Sequence, residues 1–105
     1  HISVSNRPTG MTGEDSYFQH KGLHRRSTIR CQNYFAAATI LKTSDQLLTT
    51  TRAMAQHLLD ADLVLQYVPY PIPKLVTQLY WHETTAQDAA LSWLRGLIVE
   101  TASAI

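Results

Sequence analysis

The chain has one cysteine, Cys31, so no internal disulfide can form and a small cross-linked secreted scaffold is excluded. A lone thiol fits a reducing compartment. Glycine and proline number four each, too few for a collagen-like or low-complexity chain. No run approaches the ~20 apolar residues of a membrane span, and no signal-peptide pattern is visible. Charge of either sign is sparse: nine Lys and Arg oppose eight Asp and Glu, for a net +1. The basic residues are scattered apart from Arg25-Arg26, so no basic stripe argues for nucleic-acid binding. The G-x-S-x-G elbow, the Walker loop and the G-x-G-x-x-G turn are all missing, which leaves catalysis without a candidate and points to a protein that is not an enzyme. The histidines (His1, His20, His24, His57, His82) include no pair held on one helix, because Gly22 falls between His20 and His24. No metal site and no cofactor is expected from that spacing.

What remains is apolar residues, 45% against 16% charged, in 105 positions. That suits one compact α/β domain with a real core. The chain begins with His and runs straight into a strand-like segment, and so reads as a piece or processed product of a longer protein.

His1 to Ser5 alternates and reads as a strand ending in the loop Asn6 to Gly10. Thr12 with Asp15 forms a capping-box pattern that opens a helix to about Lys21, and Gly22 suits the left-handed residue after it. Arg25 and Arg26 then read as a solvated helix-to-strand connection. Thr28 to Gln32 is the next strand, with Cys31 as a buried strand cysteine. Asn33 caps a helix from Tyr34 to Thr43, whose packed stripe is Ala37, Ile40 and Leu41. Leu47 to Thr50 is a third strand, Arg52 to about Leu59 a third helix, and Leu63 to Val68 a fourth strand. This β-α-β-α-β-α-β order predicts a parallel sheet covered by helices.

Pro69, Pro71 and Pro73 then break the pattern and favour extended chain. Leu75 to Trp81 reads as a fifth strand. After it the apolar residues Ala90, Trp93, Leu94, Leu97 and Ile98 recur at helical spacing and define an amphipathic helix with one buried face. Asp88 suits its N-cap, with Thr85 as an earlier alternative, and Ser92, Arg95 and Gly96 fall on the solvent side. From the residues alone, this segment is a core helix following a strand.

The order Trp81-His82, five residues, Asp88-x-Ala90-x-x-Trp93-Leu94-Arg95 resembles the C-terminal signature of LysR-type transcriptional regulators, with Ala89 in place of the family's proline. His1, Val4, Ser5 and Arg7 are similar to its H-x-x-V-S-x-R segment, although Pro8 stands where glycine is usual. Gly22-Leu23-His24-Arg25-Arg26 is similar to its G-L-x-R-R, and Ser44, Asp45, Thr49 and Ala55 follow a further family run with Thr51 in place of proline. The resemblance implies a bacterial, cytoplasmic regulator with an N-terminal winged helix-turn-helix and a two-lobed, periplasmic-binding-protein-like (type II) effector domain. His1 to Val68 would then be the second regulatory lobe, incomplete at its N-terminus, and Pro69 to Ile105 the strand and helix that return to the first lobe. DNA would be read only through the N-terminal domain, and the full protein would be a dimer or tetramer. A solute-binding protein for transport is the alternative with the same architecture.

In an open parallel sheet, ligands meet the loops at the carboxyl ends of the strands, where helix N-termini offer N–H groups. That expectation collects Ser5, Asn6, Gln32, Asn33, Tyr34, Thr49, Thr50 and Thr51 into an effector-binding set suited to a small polar or anionic ligand. For each residue taken singly, ordinary capping is the competing reading. Tyr17 and Phe18 are adjacent on a helix whose single face cannot easily bury both, so one of them is expected to anchor a dimer interface.

Overall fold

The computed structural model describes all 105 residues, which divide into two compact units, His1–Pro73 and Lys74–Ile105. The first unit is a small α/β body. Strand β1 (Ile2–Val4) pairs in parallel with β2 (Ile29–Cys31), in the register Ile2 with Ile29 and Val4 with Cys31. Leu48 adds a single parallel bridge to Ile2 on the other side of β1. The predicted strand Leu47 to Thr50 is thus reduced to one bridge, with the Ile2 N–H donating to the Leu47 carbonyl at 2.8 Å.

Helix α1 (Gly13–His20) begins as the sequence predicts. Thr12 Oγ1 accepts from the Asp15 N–H at 3.2 Å, and the Asp15 carboxylate accepts from the Thr12 N–H at 3.1 Å. The helix ends in a Schellman arrangement: the Leu23 N–H reaches the Phe18 carbonyl at 2.8 Å and the Gly22 N–H the Gln19 carbonyl at 3.0 Å. Gly22 supplies the necessary left-handed backbone, φ +72°. Helix α2 (Tyr34–Lys42) is capped by Asn33, whose Oδ1 accepts the Ala36 N–H at 2.8 Å. Helix α3 (Arg52–Leu58) is capped by Thr51.

The core is small. Ile2, Cys31 and Ala37 are buried together, with Val4, Ile29, Ile40, Leu41 and Leu48 packed against them. Ala37 is 0% exposed because its methyl lets the α2 backbone lie close on β1. Burying Ile2 fully contributes about 1.5–3 kcal/mol.

The sequence predicts a fourth strand at Leu63 to Val68 and a fifth at Leu75 to Trp81, and the structure forms neither. A strand exists only when a neighbour accepts its backbone hydrogen bonds. Both stretches are rich in apolar residues, yet neither has a ladder partner, and Val64, Tyr67, Leu75 and Tyr80 are exposed. The parallel α/β class holds for the first unit, at two strands rather than the predicted sheet.

The second unit consists of a 3₁₀ turn at Glu83–Thr85 and helix α4 (Ala89–Ser103). Asp88 is the N-cap, accepting the Leu91 N–H at 2.8 Å, and the helix runs five residues beyond Ile98. Its apolar stripe is present but not covered: Trp93 is 68% exposed, and Leu94, Leu97 and Ile98 are also exposed. The expectation of a buried face therefore fails within this chain, since nothing in a unit of one helix and one turn can cover it. No helix of the chain is long and apolar enough to cross a membrane.

Candidate functional site

Because β1, β2 and the Leu48 bridge are parallel, the chain leaves each at the same end. Ser5 and Asn6 follow β1, Gln32, Asn33 and Tyr34 follow β2, and Thr49, Thr50 and Thr51 follow the bridge. The topology brings these three groups to one edge, but their hydrogen bonds are unequal. Ser5 Oγ accepts the Arg7 N–H at 3.1 Å, Asn33 caps α2 and Thr51 caps α3. Asn6 and Gln32 are exposed, and Tyr34 and Thr49 are half-buried. Thr50 differs from the rest: its Oγ1 is buried and has no hydrogen-bond partner.

Thr50 lines a cavity of about 90 Å³ walled by α2, α3 and the stretch Leu63 to Val68. An adjoining groove of about 570 Å³ shares Leu41, Leu48 and Leu63 and extends to Phe18, Tyr67 and Tyr70. These spaces lie where the predicted fourth strand stands away from Leu48.

The arginine pair needs a correction. Arg26 is exposed, but the Arg25 side chain is only 4% exposed and does not belong to a solvated connection. Its Nε donates to Asp15 Oδ1 at 2.8 Å, and its Nη2 donates to Thr12 Oγ1 at 3.1 Å and Ser3 Oγ at 3.4 Å. Ser3 Oγ in turn lies 2.5 Å from Ser27 Oγ. The capping carboxylate of α1 is therefore also the counter-ion of a buried guanidinium. Burial pushes the Asp15 carboxyl up, but hydrogen bonds from Arg25 and from Thr12 outweigh it and hold the group below its ordinary value. Arg30 has a related task, donating to the carbonyls of Arg7 and Gly10 and so fixing the loop after β1.

Of the two aromatics on α1, Phe18 is buried, edge-on to Tyr70 with ring centroids 5.8 Å apart, and Tyr17 is half-buried. Phe18 is thus occupied within its own unit, which leaves Tyr17 as the residue of the pair with surface to offer.

The C-terminal signature has a physical basis in the second unit. Arg95, expected to face solvent, is half-buried with its guanidinium 4.8 Å from the Trp81 ring centroid. It donates to the Thr85 carbonyl at 3.4 Å, the Ala86 carbonyl at 3.0 Å and Ser92 Oγ at 2.7 Å. His82 is exposed, and its Nδ1 accepts the Thr84 N–H at 3.2 Å, capping the 3₁₀ turn. Trp81, His82, Asp88 and Arg95 therefore cooperate in turning the chain into α4. Trp93 and Leu94, from the same signature, belong instead to the uncovered stripe. No group of three His, Cys, Asp or Glu side chains gathers where it could hold a metal.

Comparison with known proteins agrees with the signature. No family model matches the chain, and no solved structure matches it. Among curated proteins it is 25% identical to nodulation protein D 1 of Rhizobium tropici over 91 aligned positions, covering 86% of this chain and 30% of that protein. It is 26% identical to the HTH-type transcriptional activator NahR of Pseudomonas putida, over 95% of this chain and 34% of the relative. Nodulation protein D 2 of Rhizobium tropici is 29% identical over 98% of this chain and 33% of its own length. The chain thus spans about a third of the length of the curated relatives it matches. By sequence the chain is thus similar to LysR-type regulators, along their C-terminal part.

Proposed function

We propose that this chain is the effector-sensing portion of a LysR-type bacterial transcriptional regulator. The observation that carries the reading is similarity to nodulation protein D and NahR over 86% or more of the chain, joined to a signature whose residues interlock. In this reading His1 to Val68 is the second lobe of a periplasmic-binding-protein-like domain, and Pro69 to Ile105 returns to the first lobe. That lobe would cover the Trp93, Leu94, Leu97 and Ile98 stripe and supply a neighbour for Leu75 to Trp81. A small-molecule effector bound between the lobes would be coupled to DNA binding elsewhere in the protein, in the cytoplasm. The edge formed by Ser5, Asn6, Gln32 to Tyr34 and Thr49 to Thr51 faces that effector, and Tyr17 contributes to the contact between subunits. The solute-binding alternative is supported by none of the relatives.

A chimera tests the proposal: the C-terminal third of NahR is replaced by this chain and its promoter response is compared with that of NahR. Retained operator binding with a changed inducer response supports an effector-sensing role. An inducer response identical to that of NahR refutes it. Sedimentation of a Tyr17→Ala variant of the whole regulator tests the subunit contact, and undiminished dimerisation would discard it.

A further inference from the structure

We infer that two copies of this chain pair through α4, laid antiparallel so that each covers the other's apolar stripe. The inference does not rest on the effector-sensing reading. Where the chain stands without the first lobe invoked there, the occupant of the stripe is a second copy. Trp93, Leu94, Leu97 and Ile98, with Leu91 on the flank, run along one side of a 15-residue helix, and each is 40% to 68% exposed.

The area of that face suits a small dimer. With an aromatic side chain presenting about 150–250 Å² in full, these exposures leave roughly 500 Å² of apolar surface on each helix. Two such faces bury about 1,000 Å² between them, the area a specific protein interface has to clear. The face is also held ready to bind. Arg95 ties α4 to the Thr85 and Ala86 carbonyls and stacks on Trp81, away from the stripe, so little order is lost on pairing.

Charge selects a copy over other partners. Arg95 and Glu100 are the only ionised side chains on α4. Without a basic rim the stripe does not suit an anionic lipid surface, and without a charge cluster it does not call for a strongly charged protein. The chain's net charge of +1 sets little repulsion between copies. The stripe is self-complementary as well. Turned antiparallel about a centre between Arg95 and Gly96, Leu94 faces the partner's Leu97 and Ala90 faces the partner's Thr101. Trp93 lies along the stem of the partner's Glu100. The two Glu100 carboxylates are then about 13 Å apart along the axis, beyond the screening length of about 8 Å. A parallel pair would set them level and align the helix dipoles unfavourably.

Sedimentation equilibrium of the 105-residue chain, with the Trp93 indole followed by NMR, tests the pairing. A dimer with a Kd on the order of 1–100 µM is expected, the Trp93 indole being shielded only in the dimer. Leu97→Glu and Trp93→Glu should each weaken it at least about tenfold, with the capped Leu91 amide still protected to show that α4 is formed. Val99→Lys, off the stripe, should leave the dimer unchanged. Mixing the Leu94→Lys and Leu97→Glu chains should restore it, because only the antiparallel register sets the new cation against the new carboxylate. A chain that stays monomeric across that range overturns the inference, and a shielded Trp93 in the monomer assigns the stripe to the chain's own first unit. A dimer that survives Leu97→Glu but is lost in Tyr17→Ala belongs to α1 and overturns it too. So does a dimer that mixing fails to restore. None of these results bears on the promoter response of the chimera.

Discussion

Replacing Arg25 by Met removes the guanidinium and keeps most of the apolar stem. The Asp15 carboxylate, whose side chain is 16% exposed, then loses its counter-ion but keeps the Thr12 N–H and Oγ1 hydrogen bonds. Breaking a buried ion pair by removing one partner costs about 3–5 kcal/mol. The remaining Thr12 bonds and the residual exposure of Asp15 place this case at the lower end, about 3 kcal/mol, a large share of the stability of so small a body. The Asp15 carboxyl is held below its ordinary value of 3.8 in the folded chain. A depressed folded value means that the contribution is complete above 3.8 and disappears as pH falls through the folded value. The gap between the native chain and Arg25→Met should therefore be widest above about pH 4 and narrow below it. Urea unfolding, followed through the amide signals of β1 and β2 at pH 7 and at pH 2.5, measures both quantities. A loss under about 0.5 kcal/mol at pH 7, the size of an exposed pair, would refute the burial argument. An equal loss at both pH values would refute the assignment to Asp15.

Gly22→Ala should cost about 1–2 kcal/mol of stability in the same assay, and Gly22→Asn less. The backbone there has φ +72° and no heavy atom would meet an added Cβ, so the whole effect is conformational. Asp88→Ala should lower the stability of α4 by about 1 kcal/mol, read as faster exchange at the Leu91 and Ser92 amides, and Asp88→Asn should largely preserve it. Arg95→Met and Trp81→Leu, combined in a double-mutant cycle on α4 amide exchange, should show a coupling of about 0.5–1 kcal/mol. Additive effects would mean that the stacked pair contributes nothing of its own.

The residues differ instructively in how far their roles could be read in advance. Thr12 with Asp15, Asn33, Thr51, Asp88 and Gly22 act through partners within five positions along the chain, and a short stretch of sequence contains both members of each bond. Helix starts, and the stop of α1 at Gly22, were legible for that reason. Arg95 is close to its carbonyl partners only once the turn has formed, across nine or ten positions, so helical spacing alone assigned it to solvent. Arg25 required more, since Ser3 meets it from β1 and Thr12 and Asp15 from the start of α1.

Strands lie at the far end of this scale. Ile2–Val4 and Ile29–Cys31 became strands because they found each other. Leu63 to Val68 and Leu75 to Trp81 are as apolar and remained unpaired, since strand-like composition does not specify a partner. The sequence by itself determined where each helix begins, and the similarity to LysR-type regulators that runs along nearly the whole chain. Only the tertiary structure decided which apolar stretches became strands, which arginine was buried and which hydroxyl was left without a partner. These depend on contacts between distant positions, where packing and desolvation outweigh local preference.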